Sequence, residues 1–201
     1  MYIFSICGPS GYGKSSLIKY LLDNYPNNFQ LYPTIVDRPK RESEKSSQFS
    51  TYMFISEEMF DKMIDAKDFY EYERQSHNNY RYGKAKSTFN LLDNKKNALT
   101  EMRITKINSF KDALLGHIVV SFYLVLNNED HLVQRLLARG DNLETIKNRV
   151  KMVREEEEKD MNKADYKVIS YDGDIPKTAE EFIQIIRSNY NISFNTSHTN
   201  D

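Results

Sequence analysis

The chain has 201 residues, 39% hydrophobic and 28% charged, and its 28 Lys and Arg against 29 Asp and Glu leave a formal net charge of −1. That length suits one domain with inserted subdomains, and the near-neutral balance argues against a broad nucleic-acid-binding or anionic-membrane-binding surface, so any anion site has to be a focused pocket. The single cysteine, Cys7, can form no internal disulfide, no run reaches the length of a membrane helix, and no charged leader precedes the first apolar segment, so a cytoplasmic protein is expected.

Tyr2 to Cys7 is an apolar, β-branched run of the kind that forms a buried parallel strand, and Ser16 to Asn24 has helical spacing at Leu17, Tyr20 and Leu21. Between them stands Gly8-Pro9-Ser10-Gly11-Tyr12-Gly13-Lys14-Ser15, a Gly-x-x-x-x-Gly-Lys-Ser loop that holds three of the chain's 7 glycines. Strand, loop and helix in this order are the context a phosphate-binding loop requires. Backbone N–H groups of residues 8–16 would turn toward the phosphates of a nucleoside triphosphate, Lys14 would reach the β- and γ-phosphates, and the Ser15 hydroxyl would ligate Mg²⁺. ATP and Mg²⁺ are the cofactors expected.

Phe29 to Val36 reads as one short strand, Asp37 to Ser50 as a polar, basic loop, and Tyr52 to Ile55 as another strand. Ser56 opens a helix with Met59, Phe60, Met63 and Ile64 on one face. Asp68 to Arg74 and Asn79 to Gly83 alternate aromatic and polar residues and predict a small antiparallel sheet, followed by helical signals from Ala85 to Leu92. Strand–helix alternation then resumes: strand Ala98 to Met102, helix Thr105 to Leu114, and the most apolar segment, Ile118 to Leu126, as a central strand. Helices at Glu129 to Arg139 and Leu143 to Asp160, a strand at Tyr166 to Ser170 and a helix at Lys177 to Ser188 complete the pattern, with a polar tail after it. The fold class is α/β: a P-loop core with a parallel sheet flanked by helices, interrupted by a mostly β insert. His77, His117, His131 and His198 have no metal-ligand spacing, and the acidic run Glu155 to Glu158 reads as a solvated helix face.

Five stretches resemble the guanylate kinase family in order and spacing: the loop from Gly8 to Ser15, Arg38-Pro39-Lys40-Arg41, Tyr52-Met53-Phe54 with the Ser56 helix, Phe69-Tyr70-Glu71-Tyr72, and Arg135 to Gly140 with Asn148-Arg149-Val150. The resemblance implies a P-loop core at 1–31 and 95–188 with a helical lid at about 137–158, a nucleoside-monophosphate-binding subdomain at 32–94, and a disordered tail at 189–201. It further implies that Arg38, Arg41, Tyr52 and Tyr82 hold the acceptor's phosphate. Two guanidinium groups and two phenols suit a dianion on chemical grounds as well. Glu71 falls where the family reads guanine: a carboxylate, having acceptors only, matches the N1–H and amine of that base. Arg135, Arg139 and Arg149, from the lid, join Lys14 and Arg38 in compensating charge on the moving phosphoryl group.

Three positions depart from the family pattern. Thr34 stands for a serine and keeps the hydroxyl, Lys84 puts a cation where a serine is usual, and in Leu99-Thr100-Glu101-Met102-Arg103 the second of two expected carboxylates is Arg103. The Gln-Gly that follows in the family is absent. Thr34, Lys84, Glu101 and Arg103 therefore complete the candidate acceptor pocket, with Glu101 also near enough to the loop to meet Mg²⁺ through water. The leading expectation is an ATP-dependent nucleoside monophosphate kinase acting on GMP, as monomer or homodimer, without a nucleic-acid or membrane partner. The alternatives are a P-loop kinase of another nucleotide or of a phosphorylated sugar, or a non-catalytic guanylate-kinase-like module that binds phosphorylated or acidic partners. An intact glycine loop favours an enzyme over the module.

Overall fold

The side chains of β1 (Tyr2–Cys7) alternate into two separate cores, Phe4 and Ile6 on one face and Ile3 and Cys7 on the other. A strand buried on both faces has to be interior, and β1 is the middle strand of a five-stranded sheet. In chain order there follow α1 (Lys14–Asn24), β2 (Phe29–Leu31), β3 (Thr34–Val36), a one-turn α2 (Glu42–Lys45), β4 (Tyr52–Phe54), α3 (Glu57–Asp65), β5 (Phe69–Arg74), β6 (Arg81–Ala85) and α4 (Lys86–Phe89). Next come β7 (Asn97–Glu101), α5 (Ile107–Ala113), β8 (Ile118–Leu126), α6 (Asp130–Ala138), α7 (Leu143–Asp160), β9 (Tyr166–Ser170) and α8 (Ile175–Tyr190). This computed structural model describes residues 1–75, 78–126, 130–138, 143–171 and 173–194.

The main sheet is parallel throughout, in the order β2-β7-β1-β8-β9. Leu17, Ile18 and Leu21 of α1 join Phe182, Ile183 and Ile186 of α8 in the core on one face, while Ile107 and Phe110 of α5 fill the other. The connections leave β1 between β7 and β8, so the carboxyl end of β1 is a switch point where a crevice opens and ligands bind in open α/β sheets. Register brings the candidate groups to that edge together: Ile6 pairs beside Glu101, and Cys7 beside Tyr123.

The segment expected as one strand from Phe29 to Val36 is two strands in two sheets. Tyr32 N–H still donates to Leu99 O at 2.8 Å, but Thr34 N–H donates to Thr51 O at 3.0 Å. Pro33 between them has no N–H to give either ladder, which makes it the place where the chain changes sheets. In the second sheet, β4-β3-β6-β5, the strands β5 and β6 pair antiparallel as expected, and the sheet as a whole is mixed because β3 and β4 run parallel.

Ser56 caps α3 as its position predicts, its hydroxyl accepting from Met59 N–H at 3.2 Å. Phe60 is the buried anchor of that helix and stacks on Phe69 at 4.6 Å, whereas Met59, expected on the same face, is 49% exposed. The basic loop contains the turn α2, and the helix expected over 85–92 is only α4. The expected tail at 189–201 begins later: α8 runs to Tyr190, and Phe194 packs on Phe29 at 5.5 Å while Ser193 O accepts from Asn28 at 2.7 Å. Residues 195–201 lie outside the described residues. Among the described residues, no helix is long and apolar enough to cross a membrane.

Candidate active site

The loop from Gly8 to Gly13 joins β1 to the amino end of α1. Gly13 caps α1 with φ at +85°, and Gly8 has φ at +128° with the position of a missing Cβ only 3.1 Å from Leu124 O, so both need glycine for conformation and Gly8 for space as well. Lys14 Nζ donates to Gly8 O at 2.9 Å and Pro9 O at 2.8 Å, which holds the ammonium against the loop's own carbonyls. Pro9 is buried, while Ser10, Ser15 and Ser16 are exposed. Tyr12 is only 1% exposed, and Tyr12 O accepts from Ser170 Oγ at 2.8 Å. Its ring belongs to the core, so Tyr12 can offer a nucleotide its backbone alone. A turn of N–H groups at the start of an 11-residue helix is the arrangement that binds phosphate.

Glu101, at the end of β7 and 6% exposed, is where the two sheets meet chemically. Ser15 Oγ donates to its Oε1 at 2.5 Å and Thr51 Oγ1 donates to the same oxygen at 3.0 Å, while Tyr52 OH donates to Oε2 at 3.3 Å. The charge of Glu101 and then burial keep the Tyr52 phenol well above its ordinary pKa, so it stays a neutral donor. A serine hydroxyl and a carboxylate oxygen in contact at the mouth of the glycine loop are hard-oxygen donors that fit Mg²⁺. Among the described residues no three His, Cys, Asp or Glu converge on one point, so a divalent ion here would take its other ligands from phosphate and water.

On the side expected to hold the acceptor, Arg38 is 5% exposed and lies over the rings of Tyr52 and Phe54, at 5.2 and 5.1 Å. Its fork is closed on Glu44, with Nη1 and Nη2 donating to Oε2 and Oε1 at 2.7 and 2.6 Å. Burial acts to raise the Glu44 carboxyl, but bonds from the Arg38 guanidinium and Arg41 N–H outweigh it and hold the group below its ordinary range. Among the described residues, Arg38 Nε is buried with no hydrogen-bond partner, a donor suited to an anion. Arg41 is exposed at the start of α2, so the two arginines are not equivalent: one is a buried floor, the other a free-standing arm. Tyr82 lies 6.2 Å from Tyr52, ring to ring, and its hydroxyl accepts from Asn78 Nδ2 at 3.0 Å.

The end expected to read the base is crowded with charge. Strand register sets Glu71 opposite Lys84 and Glu73 opposite Tyr82. Lys84 is 1% exposed; its ammonium donates to Thr34 Oγ1 at 2.6 Å and to Thr100 Oγ1, and Thr34 Oγ1 in turn donates to Glu101 O at 3.1 Å. Burial pulls the Lys84 amine down from 10.5 to about 7, against the opposing charges of Glu101 and Glu71. Lys84 is thus bound into the wall of the pocket, and Thr34 is committed on both sides. Glu71 is raised by burial, partly offset by Lys106, whose Nζ is 3.1 Å from Oε1. Arg103 Nη1 lies 3.6 Å from Glu73 Oε1.

Of the lid arginines, Arg135 lies on α6 and Arg149 on α7, with side chains outside those described, and Arg139 lies outside the described residues. The structure therefore brings together residues 8–16, Glu101, Thr34, Tyr52, Arg38, Tyr82, Lys84, Glu71 and Arg103 from separate segments. Sequence reasoning missed Glu44, Thr51 and Lys106. Glu44 had a signal: three residues after Arg41, at the spacing of a capping box, its carboxylate accepts from Arg41 N–H at 2.8 Å. Thr51 and Lys106 had none, since each acquires its partner from a remote strand.

The family model described as "Guanylate kinase" matches residues 2–189. The chain is 34% identical over 172 residues to a "Guanylate kinase" of Campylobacter jejuni (strain RM1221), covering 84% of this chain and 80% of that protein. It is 31% identical over 187 residues to a "Guanylate kinase" of Helicobacter hepaticus (strain ATCC 51449 / 3B1), covering 92% and 90%. The fold resembles the crystal structure of guanylate kinase from Anaplasma phagocytophilum with a TM-score of 0.64 at 18% identity, covering 98% of this chain and 90% of that one.

Proposed function

The chain belongs to the guanylate kinase family and is a phosphotransferase, and from that premise we propose that it moves the terminal phosphoryl group of ATP directly onto GMP, releasing ADP and GDP. The observation that carries this reading is Glu101, which accepts from Ser15 of the glycine loop and from Thr51 and Tyr52 beside the acceptor sheet. One carboxylate thereby holds the donor-phosphate site and the acceptor site within hydrogen-bond reach of each other. Proximity of this kind is most of what phosphoryl transfer asks of a protein.

In this reading residues 8–16 take the donor's phosphates on backbone N–H groups, and Lys14 leaves the carbonyls of Gly8 and Pro9 to meet them. Mg²⁺, when bound, would neutralise charge on the phosphate oxygens; Ser15 would hold it, with Glu101 behind. Arg38, Arg41, Tyr52 and Tyr82 hold the acceptor phosphate, Arg38 being pre-oriented by Glu44. Glu71 receives the guanine edge, with Thr34, Lys84 and Arg103 lining the pocket. Core 1–31 and 95–188, acceptor subdomain 32–94 and lid 137–158 are the moving parts, and closure of the lid delivers Arg135, Arg139 and Arg149 while excluding water. No general base is required, because the acceptor phosphate is already an anion.

The test is release of ADP from ATP–Mg²⁺ across GMP, dGMP, IMP, AMP, CMP, UMP and dTMP. Turnover is expected with GMP and absent with AMP and the pyrimidines; failure with GMP overturns the reading.

A further inference from the structure

Lys106 ends the 3-10 turn Ile104–Lys106 that leads from β7 into α5, and it reaches across to the acceptor sheet. Its Nζ is 3.1 Å from Glu71 Oε1 and 3.9 Å from Glu73 Oε2, with Arg103 on the far side of Glu73 at 3.6 Å. The Glu71 side chain is 9% exposed and that of Lys106 is 32% exposed, so the carboxylate forms the floor and the ammonium the mouth of the same site. Glu71 therefore meets an incoming base with Oε1 ion-paired to an ammonium, though among the described residues that buried oxygen accepts no hydrogen bond.

Guanine presents two adjacent donors, N1–H and the amine on C2, and a free carboxylate matches them with its two oxygens. Here one of those donors has to approach the oxygen that the Lys106 ammonium faces at 3.1 Å, which brings the positive end of an N–H toward a cation. A base that keeps N1–H and the C6 oxygen but carries an oxygen on C2 meets no such conflict. Its N1–H bonds Glu71, and the C2 oxygen accepts from the ammonium, which has further protons to give. We propose that Lys106 is a specificity-determining residue that extends the acceptor range from guanine to 2-oxo-6-oxopurine monophosphates, the xanthine type. This rests on the acceptor-kinase reading of the same pocket, with Glu71 as its base-reading group.

The test measures dissociation constants of GMP, IMP and XMP by calorimetry, alongside kcat/KM for each with ATP–Mg²⁺, in the wild type, Lys106→Ala and Lys106→Arg. The expected result is wild-type binding of XMP within about 10-fold of GMP, a preference for GMP over XMP that rises by at least about 10-fold in Lys106→Ala, and near-wild-type ratios in Lys106→Arg, the size following from one mismatched buried polar contact. A ratio that Lys106→Ala leaves unchanged, in a variant whose circular dichroism and melting match the wild type, overturns the inference, as does failure of all three nucleotides to bind. If Lys106→Ala unfolds, Lys106→Met is measured in its place, with the same two outcomes. A ratio that shifts in binding while no nucleotide is turned over supports the role of Lys106 and overturns the kinase activity instead.

Discussion

The glycine loop would offer a phosphate mostly backbone, whereas the proposed acceptor pocket offers side chains collected from β3, β4, β5 and β6 of the second sheet, from β7 of the main sheet and from the loops around them. The two surfaces touch through Glu101, yet they constrain the sequence differently. In the loop, function depends on conformations such as the left-handed Gly13 and the tight approach of Gly8 to Leu124, so the residues are dictated by the backbone. In the proposed acceptor pocket the strand ladder is made by backbone, so a cation such as Lys84 on β6 can enter without removing a backbone hydrogen bond. Chemistry carried by backbone resists rewriting; chemistry carried by side chains on a sheet face can be rewritten one position at a time.

The sharpest way to break this contrast is Lys14→Ala, which removes the one side chain the loop depends on for charge. Turnover is expected to fall by about 10³-fold or more. The melting temperature should change little, because the carbonyls it releases can bind water; retained turnover in an ADP-release assay would remove Lys14 from the chemistry. Arg38→Ala should raise the acceptor KM by about 100-fold while the ATP KM moves less than about 3-fold, the loss of a buried positive charge and its unpaired Nε donor to one substrate only. Equal changes in both constants would mean that the two surfaces are one.

Lys84→Met probes the pocket wall and has the smallest expected effect. Replacing a buried cation by an apolar chain of similar volume should be neutral or stabilising by about 1–3 kcal/mol at neutral pH, because the Thr34 and Thr100 hydroxyls keep Glu101 O and Tyr32 O as acceptors. In the wild type the folded Lys84 loses its proton near pH 7 while the unfolded one keeps it to about 10.5, so folding releases a proton and the free energy of unfolding rises with pH above 7. Below that point the amine is charged in both states and the full cost of burying it stands. Urea titrations at pH 7 and about pH 8.5 should show this rise in the wild type and a flatter profile in Lys84→Met; the upper pH stays below 9.0, where the Cys7 thiol ionises in the unfolded chain while burial pushes the folded thiol up to about 12. Parallel profiles would place Lys84 in contact with solvent.

Much of this was legible beforehand. β8, α7 and β9 run over the residues that their periodicity predicts, and the cap at Ser56 needed only its own turn of chain. Phe29 to Val36 misled because an apolar run carries no mark of which sheet it joins; Pro33 was the available clue. Met59 misled because a four-residue stripe on a short helix is wider than the surface it packs on: Phe60 is buried, Met63 and Ile64 pack partly buried beside it, and Met59 is left outside. Phe194 was lost in a polar tail, since a single aromatic has no period to betray it, and its partners Tyr25 and Phe29 lie far back in the chain.

The sequence by itself determined the strand, glycine loop and helix at the start of the chain, the α/β alternation and the kinds of residue in the proposed acceptor pocket, because these depend on groups within a turn or a strand of one another. Tertiary structure alone decided what those residues do to each other. Ser15 meets Glu101 across 86 positions, Thr51 meets it across 50, and Lys106 reaches Glu71 from the turn that follows β7. Whether a carboxylate is free, shared or already paired is a matter of a few ångströms between remote segments. Local propensity carries no information about such distances until the two sheets are packed.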